Sequence, residues 1–345
     1  MEEYEKIVAR NMQQGHPISV AMCTFNGERF LREQLNSIAA QTITPHEIVI
    51  CDDGSTDRTV AIVSEFSRAV RFDVKLVHNQ VNLGPARNFE QAIGLCSGEL
   101  IALADQDDVW YPNKLERLAA QLIIDPQLGG VFCDADLIDE HSIRRGERLW
   151  QVFGFGQREQ QIVERGEGTR LLCVREVVTG ASMMLRASLR PVLLPIGDGW
   201  MHDAWMAWML VLYSRLGFVP ECLMGYRVHS RQQAGIPPRT VRQRLANLRR
   251  NHADLCSEKA RRFEVLARCT EGTDMSTETL EDIRHVIDLC RLRANLPEGR
   301  LQRIRRVLSR IPWYLRYTNG LRIAARDVIL KAKAGGDETQ IRRQI

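Results

Sequence analysis

Short apolar runs alternate with helically spaced segments along the first third of the chain. Residues 18–22, 47–51, 74–77 and 100–104 read as strands. Between them, 28–40 (Phe30, Leu31, Leu35 and Ile38 on one face), 59–68 and 86–96 carry helical spacing. Strands alternating with helices of about ten residues predict βαβ units, hence a parallel sheet with right-handed crossovers. The continuous apolar character of 100–104 predicts a strand buried on both faces. Beyond Asp134 the pattern loosens, and 140–170, rich in Gly, Arg, Glu and Gln, predicts a loop or mobile excursion. β character resumes at 177–185, followed by a Trp-rich segment over 200–208 and further β-like stretches at 217–220 and 224–229. From about Pro237 the sequence turns to Arg-rich helical stretches (241–250, 252–268, 277–294, 300–310, 321–333).

The polar positions punctuate this pattern at one place in each unit. Thr24, Phe25 and Asn26 follow the first strand, Asp52 and Asp53 the second, and Asp105, Gln106, Asp107 and Asp108 the fourth. In open parallel sheets ligands bind beyond the carboxyl ends of the strands, where all three clusters fall. Three carboxylates crowded at a strand end repel one another and are costly to desolvate. A hard divalent cation resolves that conflict, and Mg²⁺ usually completes its shell with water and substrate phosphates. Ordinary capping chemistry explains a lone acidic cluster equally well, because Asp is a favoured cap and turn residue. Asp108 is expected to cap the helix beginning near Pro112, where proline suits a first turn.

Composition narrows the classes. The 345 residues hold 47 Lys and Arg against 43 Asp and Glu, a net charge of +4, too mild to imply a nucleic-acid partner. The nine cysteines are scattered without a C-x-x-C pair, the pattern of reduced thiols in a cytosolic protein. The acidic start, residues 1–6, lacks the apolar core of a signal peptide. The longest apolar stretch, 204–213, falls short of the roughly 20 residues that span a bilayer. A cytoplasmic protein is expected.

Taken in order, the Thr24-Phe25-Asn26-Gly27 loop, Asp52 to Asp57, Asn82-Leu83-Gly84 with Arg87 and Asn88, and Asp105 to Asp108 resemble the N-terminal half of family 2 glycosyltransferases. Met201 to Trp205 and Tyr226 to His229 look like the H-D-x-W and Y-R-x-H elements of its bacterial rhamnosyltransferase-like members. The resemblance implies a GT-A fold: an α/β, Rossmann-like, mostly parallel sheet flanked by helices, here with a C-terminal helical extension. It implies a catalytic domain over 1–235, with a nucleotide-sugar half at 17–135 and an acceptor half at 136–235, then a basic helical region over 236–345. The implied reaction is inverting, metal-dependent transfer of a sugar from a nucleoside diphosphate. The acceptor is a saccharide or a lipid-linked saccharide of a bacterial surface polysaccharide. Rhamnose from a dTDP-linked donor is favoured, with a UDP-linked hexose or N-acetylhexosamine as the alternative.

Residue by residue, the resemblance assigns Thr24, Phe25, Asn26, Glu28, Asp52, Asp53, Asn82, Arg87, Asp105 and Gln106 to the nucleotide sugar. Asp105, Asp107 and His229 are assigned to Mg²⁺ or Mn²⁺. Asp203, at the start of a helix spaced by Trp205, Trp208, Met209 and Leu212, is the candidate base for the acceptor hydroxyl. An N-cap is its bland alternative. Trp200, His202 and Arg227 are assigned to the acceptor, while Trp205, Trp208 and Trp110 read as packing. A sugar nucleotidyltransferase needs a Gly-rich, Arg-containing loop after the first strand, which Cys23 to Gly27 is not. A non-catalytic nucleotide-sugar binding module is disfavoured by Asp105, Asp107 and Asp203 occurring together. The Arg-rich C-terminal helices, interleaved with Trp313, Tyr314 and Leu315, suit the anionic inner face of the inner membrane. Solvated Arg faces on packed helices are the alternative.

Overall fold

The computed structural model describes residues 15–229, 252–273 and 275–329. The predicted segment 241–250, the chain start at 1–6 and the end of the segment 321–333 lie outside them. Strands β1 (Ile18–Thr24), β2 (Glu47–Asp52) and β4 (Leu100–Ala104) are buried at nearly every position, as strands covered on both faces must be. β3 (Asp73–His78) alternates in exposure, the signature of an edge strand. Helices α1 (Leu31–Ala39), α2 (Thr59–Ala69) and α3 (Pro85–Leu95) supply the crossovers. In α1, Leu31, Gln34, Leu35 and Ile38 form the buried stripe at helical spacing. Strands β1 to β4 run parallel in the order β3-β2-β1-β4.

The sheet then changes character. The next strand in space, β8 (Met183–Arg186), pairs antiparallel with β4 and with β6 (Leu128–Ile138). β9 (Arg215–Arg227) runs parallel to β6, and the short β5 (Val109–Trp110) pairs antiparallel with Met224 and Gly225 of β9. The stretches 217–220 and 224–229, separate in the sequence reading, are one long strand. Its register against β6 shifts between Val219 and Cys222, and Pro220 sits exposed in that irregularity, where a missing N–H is tolerated. The 177–185 segment is extended only from Met183; Gly180–Ser182 is a 3₁₀ turn.

The expected excursion over 140–170 is ordered. It holds β7 (Arg144–Arg148), which pairs with β6. Helix α4 (Lys114–Ile124) precedes β6, and the helices α5 (Leu149–Phe153), α6 (Gln157–Glu164) and α7 (Gly168–Val174) follow β7. Few residues anchor it: Trp150 packs edge-on against Phe155 and Phe218 and close to Phe132. So sparse an apolar signal among polar residues looks like a loop to a periodicity argument.

The chain divides into two units. One takes Met1–Leu172, Glu176–Ile196 and Trp200–Ile236; the other takes Cys173–Arg175, Gly197–Gly199 and Pro237–Ile345. After the short α8 (Arg190–Leu193) and α9 (His202–Tyr213) of the first unit, the second contains α10 (His252–Cys269), α11 (Thr277–Ala294), α12 (Arg300–Leu308), α13 (Ile311–Tyr317) and α14 (Leu321–Ile329). Ser276 caps α11, its Oγ accepting the Thr279 N–H at 3.2 Å. Two buried carboxylates cross-link these helices. Asp282 accepts from Tyr317 Oη, and Asp327 from Arg293 Nε and Tyr314 Oη. No helix among the described residues is long and apolar enough to cross a membrane, and all nine cysteines are free thiols.

The amino end of the sheet is pinned by Glu47. Its carboxylate accepts from Ser19 Oγ (2.6 Å), Ser97 N (2.6 Å) and Ser97 Oγ (2.7 Å), joining β1, β2 and the turn before β4. Burial pushes its pKa up, but these hydrogen bonds outweigh it and hold the carboxyl below its ordinary range. Its stabilisation is therefore full above the unfolded-state value near 4.3 and lost as pH falls through the lower folded value. Glu47→Gln should cost about 1.5–3 kcal/mol at pH 7. In urea titrations the gap to wild type should close as the pH is taken below about 4.

Candidate active site

A cleft of about 640 Å³ opens at the carboxyl edge of the parallel strands. Its wall includes Thr24, Phe25, Asn26, Asp53, Asp105, Gln106, Asp107, His202, Asp203 and His229. The loop after β1 is bolted to its neighbours. Phe25 N donates to Gln106 Oε1 (2.9 Å) and Gln106 Nε2 donates back to Phe25 O (3.1 Å). Asn26, in the left-handed region at φ 48°, accepts the Thr56 N–H (2.9 Å), and its own N–H donates to Ser55 Oγ (2.8 Å). Gly27 has no room for a side chain, since a Cβ would sit 2.2 Å from Gln106 Oε1.

The two aspartates after β2 have different surroundings. Asp52 is wholly buried and accepts from Thr24 Oγ1 (2.8 Å), Ser55 N (2.9 Å) and Ser55 Oγ (2.5 Å). His78 Nδ1 lies 2.8 Å from its other face. Asp52 is a loop organiser off the cleft wall. Asp53 faces the cleft and receives the N–H groups of Leu83 (2.7 Å) and Gly84 (2.9 Å), holding the 82–84 turn at the start of α3.

Five more of the expected ligand contacts fall off the wall. Glu28 is turned to the Arg58 N–H (3.1 Å), and Asn82 donates to Asp53 O (3.1 Å). Arg87 donates to Glu90 Oε2 (2.7 Å) and Ile196 O (2.9 Å) rather than into the cleft. Trp200 is 3% exposed, packed on Trp205 and Trp208. Arg227 is wholly buried: Nε donates to Asp107 O (2.6 Å), Nη1 to Asp139 O (2.9 Å) and Nη2 to Glu33 Oε2 (2.7 Å). It has no face to offer an acceptor. Asp108 does not cap the helix after Pro112, which starts at Lys114 behind Asn113. Its Oδ1 instead accepts the Arg227 N–H at 3.0 Å.

Pairing of β5 with β9 brings Tyr226 and His229 to the acidic cluster. His229 Nε2 lies 2.8 Å from Asp107 Oδ2, its ring against Phe30 at 4.9 Å. Across the cleft, α9 begins at His202 and places Asp203 in its first turn, with Oδ1 accepting the Ala204 N–H at 2.7 Å. His202 is stacked on Phe89 at 3.8 Å, and burial holds its pKa below the ordinary value. A Cβ on Gly180 would meet His202 Nε2 at 2.2 Å, so this ring position requires glycine there.

Burial, then the charges of Asp107 and Asp203, push Asp105 up to about 7. Asp108 is raised as well, by burial first and then by Asp107 and Asp105. Among the described residues no ready-made cluster of three or more His, Cys, Asp or Glu ligands stands open for a metal. Asp105, Asp107 and His229 all line the cleft, and a cation held by them would take its remaining ligands from water and a diphosphate. The mutual repulsion of the carboxylates is the deficit such a cation would cancel.

Several wall residues escaped the sequence reading: Phe89, Glu176, Val178, Thr179 and Gly180. So did Lys114, wholly buried under the acidic cluster, with Nζ donating to Ala181 O and lying 3.7 Å from the centre of the Trp110 ring. Lys114 stands four and eight residues before Leu118 and Leu122 on the buried face of α4. A lysine on an apolar stripe was the available signal.

Residues 19–188 match the model of glycosyl transferase family 2. The UDP-Glc:alpha-D-GlcNAc-diphosphoundecaprenol beta-1,3-glucosyltransferase WfgD of Escherichia coli is 31% identical over 126 residues, 36% of this chain and 48% of that protein. The chain spans less than half the length of most of the curated relatives it matches. Among solved structures, S. aureus TarS 1-349 in complex with UDP-GlcNAc superposes with a TM-score of 0.55 at 16% identity, over 86% of this chain and 81% of that one. The mannosyltransferase PcManGT from Pyrobaculum calidifontis, in complex with GDP-Man and Mn²⁺, gives 0.52 at 17% identity, over 90% and 77%. The fold is GT-A.

Because Asp105 titrates higher folded than unfolded, its ionisation opposes folding. That cost grows between the unfolded value near 4 and the folded value near 7, then levels off. The metal-free protein should therefore melt at lower temperature at pH 7.5 than at pH 5. Mn²⁺ should raise the melting temperature more at pH 7.5. A Mn²⁺ shift that is equal at both pH values, or absent in both, would remove Asp105 from cation binding.

Proposed function

We propose that the α/β unit is an inverting glycosyltransferase that moves a sugar from a nucleoside diphosphate to an acceptor hydroxyl. The observation that carries this reading is that Asp203 shares one cleft with Asp105 and Asp107, close enough for its charge to raise Asp105. Donor-side and acceptor-side carboxylates, 98 residues apart in sequence, face the same space. The loops after β1 and β2, with Asp53 on the wall, would receive the nucleoside. Asp105 and Asp107, with His229 beside them, would hold Mg²⁺ or Mn²⁺, which would neutralise the leaving diphosphate. Inversion requires a base on the side of the anomeric carbon opposite that leaving group. Asp203 would take the acceptor hydroxyl's proton there. A binding module without catalysis has no use for a carboxylate in that place.

The donor we favour is dTDP-rhamnose, on the strength of the His202-Asp203-x-Trp205 and Tyr226-Arg227-x-His229 patterns. The alternative is a UDP-linked hexose or N-acetylhexosamine, supported by the UDP-linked sugars of the E. coli relative and the TarS complex. A saccharide or lipid-linked acceptor in bacterial surface polysaccharide synthesis is supported by the diphosphoundecaprenol in that relative's name.

Asp203→Asn should keep donor binding, read by calorimetry, while transfer falls at least about a hundredfold, the loss of a general base. Near-normal turnover would exclude Asp203 as the base. Among dTDP-rhamnose, UDP-glucose, UDP-N-acetylglucosamine and GDP-mannose, the true donor should give the largest Mn²⁺-dependent rise in melting temperature. A UDP sugar in first place would replace the rhamnose reading.

A further inference from the structure

Helices α12 and α14 are laid down with their polarity reversed. In α12 the buried side includes Arg303, 3% exposed, beside Val307, while Leu301 and Leu308 stand 78% and 60% exposed. At about 100° per residue, Leu301, Arg305 and Leu308 share the pole opposite Arg303 and Val307. In α14 the buried side holds Ala324 and Asp327, and the outward ridge is Leu321, Ala325 and Ile329 at four-residue spacing. Leu315, on the helix between them, is also exposed. Single exposed leucines are ordinary. Two helices of one region that each bury a charge and present an aliphatic ridge are the inverse of a surface helix.

Charge indicates what covers the ridges. Residues 300–329 hold eight arginines and one acid, Asp327, which is buried with Arg293 and Tyr314. Arg300, Arg305, Arg306, Arg310 and Arg322 are exposed beside the leucines. A second copy of the same face would set arginine against arginine. An anionic bilayer takes aliphatic ridges into its headgroup–acyl boundary and pairs lipid phosphates with the flanking guanidinium groups. We propose that α12 to α14 form a docking face for the surface of an anionic lipid bilayer, inserted through Leu301, Leu308, Leu321 and Ile329.

The test is co-sedimentation of the full chain with phosphatidylcholine vesicles, with and without phosphatidylglycerol. Binding should require phosphatidylglycerol and weaken as salt is raised. The double variant Leu301→Gln/Leu308→Gln should bind at least about tenfold more weakly, since each leucine loses apolar burial. Arg305→Gln/Arg306→Gln should fall by a similar factor. All four side chains are exposed, so both variants should melt like wild type. Asp203→Asn should bind vesicles unchanged, so that loss of transfer and loss of docking are read separately. No binding to phosphatidylglycerol vesicles, or leucine variants that bind like wild type, would overturn the proposal. So would a dimer in light scattering that the leucine variants convert to monomer, because a second copy would then cover the ridges.

Discussion

A buried guanidinium is tolerated only where its donors are met, and Arg227 meets that condition by tying together four separate stretches of chain. Through Glu33 it reaches the first crossover helix, and through Asp107 O the acidic loop. Asp139 O and Ser142 Oγ (3.0 Å) add the turn after β6, and the Phe30 ring lies 4.5 Å from its carbon. Its own N–H fixes Asp108. Asp107 and His229 can meet at 2.8 Å because the residue two before His229 is clamped to the backbone of Asp107. Removing the guanidinium would leave buried carbonyl groups without donors and release the acidic loop. The candidate metal ligands therefore depend on a side chain that itself touches no ligand.

The acidic cluster is held against its own repulsion by fixed groups below it. Lys114 is buried, and burial lowers its pKa to about 8 while Cys133, Asp108 and Asp105 pull it back up. Burial and mutual repulsion raise both Asp105 and Asp108, so the cluster resists carrying its full negative charge. Asp108, though part of the sequence motif, is buried off the cleft wall, its Oδ1 accepting the Arg227 N–H.

The parallel half of the sheet was legible because its strands are continuous apolar runs and its helices are amphipathic, so each local preference agrees with the tertiary role. The clusters at the strand ends followed from topology alone. Which member of each cluster faces the ligand did not follow. Asp52 and Asp53 are adjacent and chemically alike, but successive residues leaving a strand point in opposite directions, and only one reaches the cleft. Arg87 and Trp200 carried motif-like positions whose partners, Ile196 O and the Trp205–Trp208 pair, come from contacts no periodicity reveals. The ordered 140–170 region was missed for a related reason. Its apolar anchors, Leu149, Trp150, Phe155 and Val163, are too few to outweigh the polar residues between them.

Asp105 and Asp203 line one cleft in different surroundings. Asp203 sits in the first turn of α9, where free backbone N–H groups and the helix dipole favour an anion, and it already accepts the Ala204 N–H. Asp105 sits at the end of a buried strand, where burial and its neighbours oppose its charge. The charge that burial and like neighbours penalise at Asp105 is one that a cation would relieve. The surroundings of the two aspartates thus differ with the secondary structure each belongs to, a helix start for one and a strand end for the other. Neither residue's motif, taken alone, distinguishes them.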